Sequence, residues 1–335
     1  MKPRPRESRA KVLFNRKIAV DTFRLRLLCP EIASLAEPGQ FILLRVNELW
    51  DPFLRRPFSF SRIFAPPQGR GSPPRDEGAI EILYRNVGRG TSLMTRIQVG
   101  QRLEVLGPLG NGFRVVEGRG RAILVGGGIG VGPLLAWAEK LTGKQSKAKR
   151  KKVLSREMNE VCFLVGAKNR EDIIGIQEIK KMNWVPHIAT EDGSLGLRGV
   201  ATDLLERELL ARGHEGTAIY ACGPMAMLNR IAQIADQFDL PCQVLIESRM
   251  ACGLGACLGC AVKIRQREGD LTADRTKIVS QGEESLCGDG VREDAGGPKK
   301  RMGVPSIDVG LPFRYARACQ DGPVFEAREI LWESK

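Results

Sequence analysis

The rhythm of apolar and polar positions changes twice along this chain. Up to about residue 110 the apolar residues come in short runs. FRLRLLC (23–29), QFILLRV (40–46), AIEILYR (79–85) and RLEVLGPLG (102–110) are divided by Gly, Pro and charged residues. Runs of this length, rich in Leu, Ile and Val and punctuated by turn formers, predict strands, and their regular recurrence predicts a small antiparallel barrel. The Pro/Gly-rich, polar stretch APPQGRGSPPRDEG (65–78) reads as an exposed loop between two of those strands.

Near residue 120 the pattern becomes a buried strand, a glycine turn and an amphipathic helix, in RAILVGGGIGVGPLLAWAEKL (121–141). EVCFLVGAKN (160–169) predicts a second buried strand, and TAIYACGPMAMLNRIAQIAD (217–236) another strand, turn and helix. Buried strands alternating with helices predict a parallel α/β sheet. After residue 246 helical periodicity disappears and Gly and Cys dominate. Residues 265–312 carry many charges and glycines with little apolar patterning, whereas RACQDGPVFEAREILW (317–332) regains apolar content and should pack. The expected fold class is therefore multidomain β plus α/β. It comprises an antiparallel barrel over 1–117, a parallel-sheet nucleotide domain over 118–246, and a small Cys-rich domain over 247–335 with a flexible insertion at about 265–312. The stretches 65–78 and 143–159 read as two further insertions.

Cysteine usage changes this picture most. Three of the nine cysteines stand in MACGLGACLGCAVK (250–263), with the spacing Cys252-x4-Cys257-x2-Cys260. Thiolates around a two-iron cluster need a tight loop that turns backbone amides toward sulfur, and small residues allow that approach. The spacing, followed by a distant fourth cysteine, is the plant-type [2Fe–2S] arrangement. A structural zinc site would pair two CxxC units or add histidines, and neither His187 nor His214 is near in sequence. Two residues compete as the fourth ligand. Cys319 precedes a segment expected to be ordered, which favours it; Cys287 lies inside the insertion. Cys29, Cys162 and Cys242 sit in apolar surroundings and read as small buried side chains.

Charge and length bear on partners and compartment. The net charge of +13 is concentrated in loop-like stretches such as 140–157 and 297–301, without interleaved stacking aromatics. Solvated surface therefore explains it better than nucleic acid. The start of the chain lacks an apolar leader core, and no apolar run is long enough to cross a bilayer. A cytoplasmic protein without membrane partners is expected.

Two further stretches carry candidate chemistry. In RRPFSFSRI (55–63), Arg56 offers a fork of donors for a phosphate, Pro57 stiffens the strand, and Ser59 offers a hydroxyl to a polar ring edge. In LYRNVGRGTSLM (83–94), Tyr84 can pack on a flat ring and Arg85 supplies charge. Gly90, Thr91 and Ser92 there can open amides and hydroxyls to a pyrophosphate. In VGGGIGVGPLL (125–135), Gly126, Gly127, Gly128, Gly130 and Gly132 let a dinucleotide approach the backbone at a helix N-terminus, although their spacing is not the strict GxGxxG. VGAKNRED (165–172) presents Lys168 and Arg170 before Glu171 and Asp172, so the residues alone do not choose between NAD and NADP.

Taken in order, these motifs resemble the ferredoxin–NADP reductase superfamily, whose barrel binds FAD and whose next domain binds a nicotinamide nucleotide. RPFS, YRNVGRGT, GPLGNGF, GGGIGVGP, ACGPMAM, ESRMACGLGACLGC and CQDGPVFEAREILW together resemble the electron-transfer subunits of NAD-dependent dihydroorotate dehydrogenase, type B. The resemblance covers nearly the whole chain outside the three insertions. It implies that Cys252, Cys257, Cys260 and Cys319 hold a [2Fe–2S] cluster. It further implies that Arg56, Pro57, Phe58, Ser59, Leu83, Tyr84, Arg85, Gly90 and Thr91 contact FAD. Cys222, Gly223 and Pro224 would form a turn beside the nicotinamide of NAD, with Cys222 a positioning residue rather than a nucleophile.

The implied function is electron transfer in pyrimidine (UMP) biosynthesis. Electrons would pass from the FMN of a separate catalytic subunit, which oxidises dihydroorotate to orotate, through the cluster and FAD to NAD⁺. The implied assembly is a heterotetramer of two such chains and two catalytic chains, docked through the cluster face. A second redox reading is the flavin/iron–sulfur subunit of an NADH-dependent ferredoxin:NADP⁺ oxidoreductase, a sulfide dehydrogenase or a hydrogenase diaphorase. Cys252 argues against it, because those relatives tend to carry an acidic residue there. A basic nucleic-acid-binding protein with a structural zinc would leave RPFS and GGGIGVG without purpose.

Overall fold

The computed structural model describes residues 4–47, 51–66, 77–142, 160–266 and 313–332. Nearly all of the three stretches read as insertions, and Cys287 with them, lies outside the described residues.

Six strands close the barrel: β1 (Arg6–Ala19), β2 (Thr22–Leu28), β3 (Phe41–Leu44), β4 (Arg56–Phe64), β5 (Ala79–Arg85) and β6 (Arg102–Leu109). Their order is β1-β2-β5-β4-β3-β6, and every pairing is antiparallel. The alternation that betrayed β2 and β5 also fills the barrel. Leu25, Leu27, Phe60, Ile82 and Tyr84 point into one core with Val12 and Val105. The short helix α1 (Pro30–Ala33) follows β2, and α2 (Arg89–Met94) follows β5.

A seven-stranded sheet follows the barrel. Its strands are β7 (Arg121–Gly127), β8 (Glu160–Ala167), β9 (Pro186–Thr190), β10 (Leu197–Arg198), β11 (Thr217–Cys222), β12 (Cys242–Leu245) and β15 (Val324–Glu326). Its order is β10-β9-β8-β7-β11-β12-β15. The helices between these strands are α3 (Val131–Leu141), α4 (Ile176–Lys181), α5 (Ala201–Arg212) and α6 (Met225–Gln237). Strand β7 is buried along its whole length, as a central parallel strand must be. Its Ile123 and Val125 pack with Leu205 and Leu209 of α5 and Leu228 and Ile231 of α6. Its Ala122 and Leu124 pack on the other face with Leu134 and Trp137 of α3 and Ile179 of α4. No helix among the described residues is long and apolar enough to cross a membrane.

The tail supplies a strand that the sequence pattern did not announce. β15 pairs antiparallel with β12, setting Val244 opposite Phe325, so the C-terminal segment finishes the nucleotide sheet. Before it, β13 (Ala261–Arg265) and β14 (Phe313–Arg317) form a separate two-stranded ladder. The Cys-rich segment is thus held at both ends. Ile246 donates its amide to Pro323 O at 2.9 Å, and Asn111 at the end of the barrel donates to Gly322 O at 2.6 Å.

Barrel and sheet meet along α3 and β4. Arg62 Nε reaches Glu139 Oε1 at 2.6 Å, Arg24 pairs with Glu178, and Lys140 pairs with Glu37. The connecting segment is stitched down by Tyr220, whose hydroxyl donates to Arg114 O at 3.1 Å and accepts from Val116 N at 3.3 Å.

Phe325 is buried against this arrangement. Phe325→Ala should cost about 3–5 kcal/mol of stability in equilibrium unfolding. A loss below about 1 kcal/mol, on that same scale, would show that β15 is not held by its packing.

Candidate functional site

In open parallel sheets a ligand binds outside the carboxyl ends of the strands, where the order of connection reverses. Here the reversal lies between β7 and β11, and the two glycine-containing turns end those strands. They are packed back to back: a Cβ on Gly130 would stand 2.2 Å from Cys222 O, so only glycine lets the turns approach. A Cβ on Gly127 would stand 2.7 Å from Met227 Sδ and 2.9 Å from Pro224 Cδ, while Gly128, at φ +53°, faces open space.

These turns form one wall of a cleft of about 470 Å³, and the barrel forms the other. Pro57, Phe58 and Ser59 of β4, Leu83, Tyr84 and Arg85 of β5, and Thr91 line it from the barrel. Gly127, Gly128, Gly132, Gly223 and Pro224 line it from the sheet. The volume and the largely apolar walls suit an organic cofactor. Strand β4 thus brings the RPFS motif opposite the glycine turns, a juxtaposition that neither segment reveals alone.

Five residues of the expected set do not line the cleft itself. Gly126 is packed against Val131, and Gly130 against Cys222. Cys222 is wholly buried, and burial pushes its thiol far above the ordinary range, as a positioning role requires and a nucleophile does not. Arg56 donates to Leu54 O at 2.6 Å, and its Nε lies 3.1 Å from where a Cβ on Gly90 would sit. Arg56 and Gly90 therefore sit together at the α2 turn.

Two side chains differ in detail from expectation. The Tyr84 ring stacks on Phe23 at 5.3 Å and its hydroxyl donates to Asn15 Oδ1 at 2.9 Å, so it belongs to the barrel wall. The Thr91 hydroxyl braces its own turn, accepting from Val87 N and Gly88 N at 3.0 and 3.1 Å.

The cleft also contains residues that sequence reasoning passed over: Glu247, Ser248, Met250 and Pro323. They arrive because β12 and β15 pair, a long-range contact with no local signature. A second hollow of about 400 Å³ continues past Gly128 along the ends of β8 and β9. There Lys168, Asp172 and Glu191 face Thr202 and Arg230. Asp172 lies 3.6 Å from Arg85. The acidic side chain at the end of β9, in TEDGSLG (190–196), is the signal that could have been read for this hollow.

The cysteine segment leaves the cleft directly. Met250 lines the cleft and Cys252 follows two residues later, at most about 7 Å of chain. Gly255, at φ +83°, turns the loop so that its amides point inward. Leu254 N donates to Cys252 Sγ at 3.4 Å. Burial works to raise the Cys252 thiol, but the amides of Leu254, Cys257 and Ala256 and the Cys257 side chain outweigh it and bring it down to about 6.

Cys260 and Cys319 are both buried, and Cys319 N points at Cys260 Sγ at 3.5 Å. Burial, then the Cys260 thiol, push Cys319 up to about 12. Arg317 ties the two segments together, donating to Gly255 O at 3.2 Å and to Asp321 Oδ2 at 3.3 Å. The Cys319 amide thus meets the Cys260 sulfur, and the Leu254 amide meets that of Cys252. Among the described residues, no three of them close to within 4.8 Å of one another, as ligands of one ion would. Four thiols, amides aimed at their sulfurs, and a spread too wide for one ion fit a binuclear cluster better than a single metal. Burial keeps Cys29 and Cys162 protonated, each pushed up to about 12, and Cys242 is raised too.

Comparison with known proteins agrees with this geometry. Residues 247–290 match the iron–sulfur cluster binding domain of dihydroorotate dehydrogenase B, and residues 124–233 match the oxidoreductase NAD-binding domain. The chain is 34% identical over 324 residues to the dihydroorotate dehydrogenase B (NAD(+)) electron transfer subunit of Desulforamulus reducens, covering 97% of this chain and 98% of that one. It is 36% identical over 326 residues to the subunit of the same name from Geobacillus thermodenitrificans, covering 96% and 98%.

Among solved structures, an NADH-dependent reduced ferredoxin-NADP oxidoreductase shares the fold with a TM-score of 0.67 at 24% identity, over 97% of this chain and 90% of that one. A ferredoxin NADP⁺ reductase from Neisseria gonorrhoeae with bound FAD and NADP shares it with a TM-score of 0.54 at 17% identity, over 70% and 92%. The matched domains and the cleft between barrel and sheet support FAD, a [2Fe–2S] cluster and NAD as cofactors. The chain belongs to the family of dihydroorotate dehydrogenase B electron-transfer subunits, the oxidoreductase components that work beside a separate catalytic subunit.

Proposed function

We propose that this chain carries electrons between a partner subunit that oxidises dihydroorotate to orotate and the NAD⁺ that accepts them, in pyrimidine synthesis. The observation that carries this reading is the continuity of cysteine loop and cleft: Met250 and Pro323 line the cleft, and Cys252 and Cys319 stand two and four residues from them. A flavin, when bound, exchanges electrons singly with an iron–sulfur cluster and in hydride pairs with a nicotinamide.

The residues divide the work. Cys252, Cys257, Cys260 and Cys319 are the proposed cluster ligands, and the inward amides of Leu254 and Ala256 stabilise their thiolate charge. Arg56, beside Gly90, meets the flavin's phosphates, while Pro57, Phe58, Ser59, Leu83, Tyr84, Arg85 and Thr91 form the wall for its ring and sugar chain. Gly127, Gly128, Gly132, Gly223 and Pro224 admit the nicotinamide nucleotide against the opposite wall; Gly126, Gly130 and Cys222 hold the two turns together behind it. The proposed division of the chain is 1–117, 118–246 and 247–335.

The partner docks on the cysteine loop, in an assembly of two such chains with two catalytic chains. Leu254 and Leu258 are more than half exposed there, which suits a buried contact better than open solvent.

Two outcomes are expected. The chain isolated with its partner, given dihydroorotate and NAD⁺ without oxygen, should form NADH, and lose that activity when the partner is stripped away. A preparation that reduces dyes with NADH yet makes no NADH from dihydroorotate would refute the substrate assignment. Arg56→Ala should weaken FAD retention by about 1.5–3 kcal/mol, roughly ten- to hundredfold in Kd. Unchanged flavin content after dialysis would remove Arg56 from the phosphate site.

A further inference from the structure

The cysteine site contains a cation that the cysteine spacing does not announce. Strand β13 begins directly after Cys260, and β14 ends two residues before Cys319. Their pairing sets Ala261 opposite Arg317, and Ala318 N donates to Cys260 O at 2.9 Å. Arg317 therefore emerges between the two cysteine-bearing segments. Its Nη1 donates to Gly255 O at 3.2 Å, in the loop between Cys252 and Cys257. Its Nε and its backbone amide donate to Asp321 Oδ2 at 3.3 and 2.8 Å, closing the turn around Cys319. Nearby cations are engaged elsewhere: Lys263 lies over the Phe313 ring at 5.6 Å, and Arg265 donates to Arg328 O at 3.1 Å.

The first consequence is geometric. A peptide unit is planar and trans, so its C=O and N–H point opposite ways. Drawing Gly255 O toward Arg317 turns the Ala256 amide the other way, onto Cys252, where it joins the donors that outweigh burial. The amide of Gly255 itself faces Cys319, opposing the rise that burial and the Cys260 thiol impose there. Glycine is required at this point: its φ is +83°, and a Cβ would stand 2.1 Å from Gln320 Oε1 and 3.5 Å from Arg317 Nη1. The guanidinium thus clamps a stretch of backbone whose amides reach sulfurs on two different segments.

The second consequence is electrostatic. Four thiolates leave a [2Fe–2S] cluster a net anion, and each electron accepted adds one more negative charge. Amides aimed at sulfur and a cation held nearby both favour the reduced form. Asp321 draws off part of the Arg317 charge, and the two side chains are 33% and 36% exposed, so solvent screens both. Plant-type ferredoxin clusters are strongly reducing. A cluster whose electrons end on NAD⁺ is better matched when its potential is drawn upward.

We propose that Arg317 is a positioning residue that raises the reduction potential of the cluster, by clamping the Gly255–Ala256 peptide and by holding its own positive charge between the two cysteine-bearing segments. Asp321 sets how much of that charge is felt. The step it tunes is the transfer of a single electron, which arrives from the partner subunit and leaves to the flavin, with no bond made or broken. The inference rests on the functional reading above for the cluster and its ligands.

The test is a redox titration of the assembled, cofactor-loaded complex at low salt, following the electron paramagnetic resonance of the reduced cluster. Arg317→Gln should make reduction less favourable by about tenfold in the equilibrium constant, a fall of about 59 mV for one electron. Arg317→Lys, which keeps the charge but loses the fork, should recover more than half of that fall. Asp321→Asn should shift the potential the opposite way, upward. A purely structural brace predicts instead that Arg317→Gln and Arg317→Lys behave alike and that Asp321→Asn gives no rise. An Arg317→Gln complex with full iron and an unmoved potential, or shifts of the same sign in Arg317→Gln and Asp321→Asn, would overturn the inference. Should Arg317→Gln lose its iron, the other two variants decide: a potential near wild type in Arg317→Lys together with a rise in Asp321→Asn upholds it, and any other pattern overturns it. Dye mediators replace dihydroorotate and NAD⁺ in the titration, so a failed substrate assignment leaves the result standing. A wild-type complex without iron would bring down both readings.

Discussion

The antiparallel pairing of β15 with β12 is the contact on which the rest depends. Strand β12 ends at Leu245, and the next residues lead through Glu247 and Met250 into the cysteine loop. Strand β15 begins at Val324, and the residues before it run back through Pro323 to Cys319. One short ladder, sealed by the Ile246 amide on Pro323 O, therefore sets both the departure of the segment that carries Cys252, Cys257 and Cys260 and the return of the segment that carries Cys319. It also aligns them with the cleft, because that ladder forms part of the cleft wall. The β13–β14 pair and the Arg317–Asp321 contact then close the distance between the two segments. Such a design tolerates a long stretch of chain between Cys260 and Cys319, since loop length adds little to closure cost once its ends are fixed.

The same architecture sorts cysteines by electrostatics. Cys29, Cys162, Cys222 and Cys242 stand on strands or against them, where burial holds the neutral thiol. Cys252 stands in a turn of inward amides, and its thiol is drawn down to about 6 after those hydrogen bonds outweigh its burial. Strand placement makes a cysteine inert, and a loop of small residues prepares one for a metal. The group formed by buried Cys162, exposed His187 and Glu208 illustrates the difference. Its three ligand atoms lie within 4.8 Å, but Glu208 is already engaged by Arg121.

Much of this could be read from the residues, and the limits have physical causes. The barrel strands β2, β3, β5 and β6 were legible as alternating runs, and β7, β8 and β11 as buried ones, because those periodicities are local. β1 was not: RESRAKVLFNRKIA spreads its charges along a 14-residue strand whose middle alone is buried. β15 is three residues long and owes its existence to β12. The cysteine spacing and the two glycine turns were legible as chemistry. Glu247 and Glu191 were not, because a single carboxylate acquires meaning only from the cleft around it. Thr91 shows the converse: its position was legible, but its hydroxyl is spent on the turn that positions it.

The most direct test of this account is the iron and acid-labile sulfide content of Cys319→Ser beside that of Cys287→Ser, with the electron paramagnetic resonance of each reduced protein. The account predicts that Cys287→Ser keeps the wild-type iron content and signal, while Cys319→Ser loses the cluster or holds one with an altered signal. A cluster that survives unchanged in Cys319→Ser and vanishes in Cys287→Ser would contradict it, and with it the claim that β15 returns the fourth ligand to the cleft.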